Sequence, residues 1–201
     1  MIREHVLPAA RATLCTLLIT GVAYPLLCTG LALVLFPQRA RGSFVTDDAG
    51  HTVGSELIAQ PFASAAYVQP RPSAAGDKGW DANNSGGSNL GATSKKLRDR
   101  VQADVSRLKT ENPDALAEIP AELVTTSGSG LDPHLSPAAV RWQIPRIARA
   151  RQVAPDRIER LVADQIEGRD LGFLGEPRVN VLLLNLALDR LLGKPVAPPG
   201  K

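Results

Sequence analysis

The chain of 201 residues carries 23 Lys and Arg against 20 Asp and Glu, a formal net charge of +3, with 4% aromatic residues and 2 cysteines. So even a charge balance excludes a dedicated nucleic-acid footprint, and a core must rest on Leu, Val, Ile and Ala. Three histidines, at 5, 51 and 134, with both cysteines at 15 and 28, exclude a disulfide scaffold and a zinc cluster.

No charged residue stands between Arg11 and Arg39. The apolar run from Ala12 to Phe36 would form about 37 Å of helix, longer than the roughly 30 Å hydrocarbon core of a bilayer. It is longer than a signal-peptide apolar region, and Pro37-Gln38-Arg39-Ala40-Arg41 offers no small-x-small cleavage pattern. The run reads as a retained transmembrane anchor. Thr13, Thr16, Thr20 and Ala23 share a face that suits close helix packing, and Pro25 is expected to kink the helix. Cys15 and Cys28 are separated by about 20 Å along it and cannot bridge. Arg3 and Arg11 before the run balance Arg39 and Arg41 after it, so charge leaves orientation a tie.

The organisation expected is a short tail over 1–11, the membrane helix over 12–36, one soluble domain over 37–194 and a frayed end over 195–201. The part beyond residue 36 holds 21 basic and 19 acidic side chains, since Arg3, Arg11 and Glu4 precede it. Its fold class is α+β: a mixed α/β domain with a small sheet and several helices behind a single membrane helix.

Within that domain, β-prone runs on either side of Asp47-Asp48-Ala49-Gly50 predict a hairpin. Ser55 to Gln60 suits one helical turn. Pro61 to Asn89 reads as an ordered loop with one short strand near Tyr67-Val68, a length that suggests function. Thr93-Ser94 caps a helix whose apolar face is Leu97, Val101, Val105 and Leu108, and Asn112-Pro113 ends it. Leu123 to Thr126 is a β-prone run, and Ser127-Gly128-Ser129-Gly130 must turn. Ser136-Pro137 opens a helix carrying Val140, Ile144, Ile147 and Ala148, interrupted by Pro145. Pro155 opens another with Ile158, Leu161, Val162 and Ile166. Arg169 to Pro177 is a loop. Val179 to Leu192, broken by Asn180, Asn185 and Asp189, predicts a buried helix rather than a second membrane span.

Chemistry is sparse. Ser85-Gly86-Gly87-Ser88-Asn89-Leu90-Gly91 precedes a helix and could present amides to a phosphate, but neither a Walker nor a dinucleotide glycine pattern occurs. Ser127 and Ser129 lack the flanking glycines of a nucleophile elbow. Asp132-Pro133-His134 favours a structural turn, with a catalytic or metal role as the alternative. Asp47 and Asp48 suit solvated turn positions.

These motifs, in this order, resemble the KdpC family, the C subunits of bacterial potassium-transporting Kdp ATPases. The resemblance is carried by Ser55-Glu56-Leu57-Ile58, Arg71-Pro72-Ser73-Ala74 and the Ser85 to Gly91 segment. It continues through Leu123-Val124-Thr125-Thr126-Ser127-Gly128-Ser129-Gly130-Leu131-Asp132-Pro133-His134-Leu135-Ser136-Pro137 and Arg169-Asp170-Leu171-Gly172-Phe173-Leu174-Gly175-Glu176-Pro177-Arg178-Val179-Asn180, and ends at Asp189. Ala59, Pro70 and Ala92 depart from it, at turns.

The resemblance implies a non-catalytic accessory subunit in the bacterial inner membrane, with the N-terminus cytoplasmic and the soluble domain periplasmic. Its partners would be a K⁺-conducting channel-like subunit (KdpA), a P-type ATPase subunit (KdpB) and a small membrane peptide (KdpF). No cofactor would be held firmly; K⁺ is the transported ion, and ATP enters through the partner ATPase. The family is described as a catalytic chaperone that raises ATP affinity, which makes Ser85, Gly86, Gly87, Ser88 and Asn89 candidates for nucleotide or partner contact. The phosphorylation motif Asp-Lys-Thr-Gly-Thr is absent from the chain. The alternatives are a membrane-anchored periplasmic enzyme or ligand-binding module using Asp132 and His134, and a stand-alone assembly scaffold.

Overall fold

The computed structural model describes residues 2–47 and 49–195. Asp48 and all of the expected frayed end except Pro195 lie outside the described residues. The chain divides into two compact units, residues 1–44 and 45–201.

The first unit is built on one continuous helical rod: α1 (Ile2–Leu18), a π turn (Ile19–Ala23) and α2 (Tyr24–Leu35), followed by the short α3 (Pro37–Ala40). The segment expected as a tail is thus helical from Ile2 onward. The stretch Glu4–Leu35, 32 residues, is long and apolar enough to cross a membrane, and none of its most apolar window is buried. Pro25 has no N–H and its ring crowds the carbonyl four residues back. The break expected there takes the form of the π turn just ahead of it, in which Tyr24 N donates to Ile19 O. Thr16 and Thr20 return their hydroxyls to the carbonyls of Ala12 and Thr16, at 2.9 and 2.7 Å, which leaves the stripe smooth. Thr20 and Ala23 both lie inside the widened turn.

The expected hairpin is formed by β1 (Phe44–Thr46) and β2 (Thr52–Ser55), which apart from Phe44 lie in the second unit. Asp47 Oδ1 ties its turn together by accepting from the amides of Ala49 and His51. Four helices follow, α4 (Lys95–Glu111), α5 (Pro137–Arg151), α6 (Pro155–Asp164) and α7 (Val181–Leu192). Serine hydroxyls cap α4 and α5 at the predicted positions, Ser94 and Ser136, and Asn180 caps α7. Between these lie β3 (His134–Leu135) and β4 (Val179–Asn180), antiparallel, with His134 opposite Asn180 and Leu135 opposite Val179. The architecture is α+β, with two separate two-stranded sheets.

The core joins the apolar faces of α5, α6 and α7. Val140, Ile144 and Ile147 meet Ile158, Val162, Leu184 and Leu188, with Val101 and Val105 of α4 packed at the edge. The helical periodicities therefore point inward as expected, and α7 is the buried helix of the domain.

The short strand expected near Tyr67-Val68 and the β-prone run Leu123 to Thr126 join no sheet. Leu123 to Thr126 follows a 3₁₀ turn (Ala121–Leu123) with no sheet partner; Arg71 and Arg100 take the carbonyls of Val124, Thr125 and Thr126 instead. Tyr67 closes a turn on Ser64, and Val68 pairs with the Asn185 side chain rather than with another strand. Ser55 to Gln60 forms a turn, stabilised by Ser55 Oγ accepting from Leu57 N, rather than a helix.

Candidate functional site

The two glycine- and serine-rich segments, 40 residues apart in sequence, meet in space. Gly86 N donates to Ser129 O at 2.8 Å, and Ser85 Oγ donates to the same carbonyl at 3.0 Å. The approach is so close that only glycine fits. A Cβ on Gly130, whose φ is +67°, would stand 2.6 Å from Gly86 O and 2.8 Å from Ala75 N. Next to this junction opens a cleft of about 540 Å³ lined by Arg71, Ser85, Ser127, Ser129 and Asp132. Ser88, half-buried, and Asn89, exposed with φ +50°, do not line it.

Its polar groups are engaged with one another. Arg71 donates to Thr125 O, Thr126 O and Asp132 Oδ2. Asp132 Oδ1 accepts from His134 N at 3.0 Å, which is the turn expected from Asp-Pro-His. The His134 imidazole, with Nδ1 3.7 Å from Asp132 Oδ1, does most to hold the carboxyl below its usual range; the His134 amide and the Arg71 guanidinium add to this against desolvation. Ser129 Oγ accepts from Leu131 N, and Ser127 Oγ stands 3.4 Å from it. Neither hydroxyl has a histidine within hydrogen-bond reach, so no nucleophile–base pair is formed here. The amide of Gly86 is bound to Ser129, and α4 begins only at Lys95, its first turn closed by Ser94. The segment is a loop-to-loop junction, and its geometry differs from a phosphate cradle on a helix N-terminus. Among the described residues, no three His, Cys, Asp or Glu side chains form a set that could hold a metal ion.

What holds the long loop in place was not apparent from its own sequence. Buried amides and guanidiniums on α5 and α7 grip its backbone. Gln143 pairs with both polar groups of Gln69, and Arg146 donates to Ala65 O and Tyr67 O. Arg151, its side chain 2% exposed, donates to Ala66 O and to Asp189 Oδ1 at 2.8 Å. The Arg151 guanidinium also lies over the Tyr67 ring, 5.1 Å from its centroid. Tyr67 in turn donates to Asp189 Oδ2 at 2.8 Å; burial first and this carboxylate second push the phenol up to about 12, so it stays a neutral donor. Burial pulls Arg146 down to about 10. The signal in the sequence was the polar residues that break the apolar runs, Gln143 in α5 and Asn185 and Asp189 in α7.

Residues 6–190 match the family described as KdpC, the K⁺-transporting ATPase c chain. A potassium-transporting ATPase KdpC subunit of Myxococcus xanthus is 58% identical over 195 residues, covering 96% of this chain and 92% of the relative. Subunits of the same name from Methylobacterium nodulans and Bradyrhizobium diazoefficiens are 53% and 51% identical, covering 95% and 96% of this chain and 99% and 100% of their own lengths.

Proposed function

The chain belongs to the KdpC family of K⁺-transporting ATPase c chains, and on that premise we propose that it is a non-catalytic accessory subunit of an ATP-driven potassium importer. It assembles with a K⁺-conducting channel-like subunit, a P-type ATPase subunit and a small membrane peptide, and the complex depends on it for stability. The observation that carries this reading is the pairing of a long apolar helix with a domain whose serine- and glycine-lined cleft has its polar groups engaged internally. That is the make-up of a part that binds other parts. The lack of an Asp-Lys-Thr-Gly-Thr motif supports placing phosphorylation on a different subunit.

In this reading the helix lies in the inner membrane with the N-terminus inside and the domain on the periplasmic side, over the K⁺ entrance of the channel-like subunit. ATP is cytoplasmic, so the rise in ATP affinity attributed to such subunits reaches the ATPase through the complex rather than through a nucleotide held here. The Ser85 to Asn89 segment then contributes a partner contact. Gly86's engagement with Ser129 supports this over direct nucleotide binding.

The test is to tag the C-terminus, solubilise native membranes from K⁺-limited cells in mild detergent, and identify what co-purifies. A P-type ATPase and a polytopic K⁺ subunit at equal stoichiometry support the proposal. The chain alone, from cells expressing those partners, overturns it and revives an enzyme built on Asp132 and His134.

A further inference from the structure

Among the described residues beyond 44, the exposed large apolar side chains are Leu57, Leu116, Leu171, Phe173, Leu174 and Leu191, and three of them fall within four consecutive residues. Leu171 is 83% exposed, Phe173 69% and Leu174 49%. They form the tip of a tight loop between α6 and β4 whose backbone is closed twice. Glu167 and Arg178 exchange both amide–carbonyl bonds, and so do Asp170 and Leu174. Ion pairs brace the stem: Arg178 to Glu167 at 3.0 Å and to Asp170 at 3.2 Å, and Arg169 to Glu176 at 2.8 Å. Leu171 is held at φ +52°, a conformation that leucine adopts at a cost.

Folding alone gives no reason for this arrangement. A four-residue turn that faces water is ordinarily polar, and the strained leucine at its apex buries little of its surface. A rigid apolar tip on a braced stem is instead the form of an interface anchor, pre-organised so that little ordering entropy is lost on docking. Charge selects the occupant. The stem carries Glu167, Asp170 and Glu176 against Arg169 and Arg178, one acid in surplus. An anionic lipid surface would repel it, and two copies docked tip to tip would bring like charges together. A protein surface with an apolar recess and a basic rim fits.

We propose that the Leu171–Leu174 tip is a docking anchor that inserts into an apolar, basic-rimmed recess on a partner subunit of the transport complex. This rests on the accessory-subunit reading, and the experiment separates the two. Full-length wild type, a Leu171→Ser/Phe173→Ser variant and a Leu116→Ser control are each tagged and purified from K⁺-limited membranes in the same detergent. Partner subunits retained by wild type and by the control, but reduced at least about tenfold in the tip variant, support the proposal. Equal retention by all three overturns it while leaving the accessory-subunit reading intact. Failure of wild type to retain partners overturns both.

If the tip variant melts earlier than wild type, a photo-crosslinking amino acid at position 173 replaces it as the deciding measurement. A crosslink to a K⁺-transport subunit supports docking there. Crosslinks confined to lipid, to a second copy or to nothing overturn it.

Discussion

The side-chain amide of Asn185 takes both backbone polar groups of Val68: Val68 N donates to Oδ1 at 2.8 Å and Nδ2 donates to Val68 O at 2.9 Å. Both residues are buried, at 1% and 0% exposure, so the amide does for this stretch of loop what a neighbouring strand would otherwise do. Asn185→Ala leaves two buried groups without partners. The expected cost is about 3 kcal/mol, or a fall in Tm of roughly 6–12 °C for a domain of this size. Near-UV circular dichroism of the detergent-solubilised chain reads it, and an unchanged Tm would show that the loop is held by other means.

Gly130 is fixed by close approach as well as by φ. Gly130→Ala pushes a methyl group into Gly86 O and Ala75 N, both backbone atoms with no freedom to swing away. We expect a loss of about 3 kcal/mol and faster proteolysis between residues 75 and 90. At Gly128, two residues earlier, a Cβ meets nothing within 4 Å, so Gly128→Ala is expected to shift stability by less than about 0.5 kcal/mol. Comparable losses in the two variants would refute the packing argument.

Asp132 links stability to pH. Its carboxyl is held below 3.8 in the folded chain, chiefly by His134, so its contribution is present above the unfolded value and disappears as pH falls through the lower folded one. Above about pH 4, Asp132→Asn should melt earlier than wild type. Below that the margin should narrow as the native carboxylate becomes protonated. A margin that stays constant down to pH 2 would rule out this linkage.

His134 separates a subunit from an enzyme. His134→Ala should leave K⁺-stimulated ATP hydrolysis of the purified complex within about twofold of wild type, because among the described residues no serine or cysteine is hydrogen-bonded to the imidazole, which faces Asp132. A loss of a hundredfold or more at unchanged Tm would place His134 in a reaction.

The elements legible in the sequence were those set by near neighbours. The apolar run announced the membrane helix through length and missing charge. Ser94 and Ser136 marked helix starts because a cap is a bond to an amide three residues away. Asp47 announced its turn in the same way. The short strand expected near Tyr67-Val68 and the β-prone run Leu123 to Thr126 joined no sheet for the opposite reason. β propensity says that a segment suits extended backbone but not what will pair with it, and here arginine and amide side chains arrive first.

What the sequence determined by itself is the anchor, the caps, the inward faces of α4 to α7 and, through long ordered motifs, the family. What only the tertiary structure decided is how an irregular loop of nearly thirty residues acquires one shape, and which candidate residues meet. Asn185 lies 117 positions from Val68, Arg146 lies 81 from Ala65, and Ser85 lies 44 from Ser129. Local propensity acts over one or two turns of chain, whereas these bonds need the packing of α5, α6 and α7 to hold distant backbone within 3 Å of their donors and acceptors.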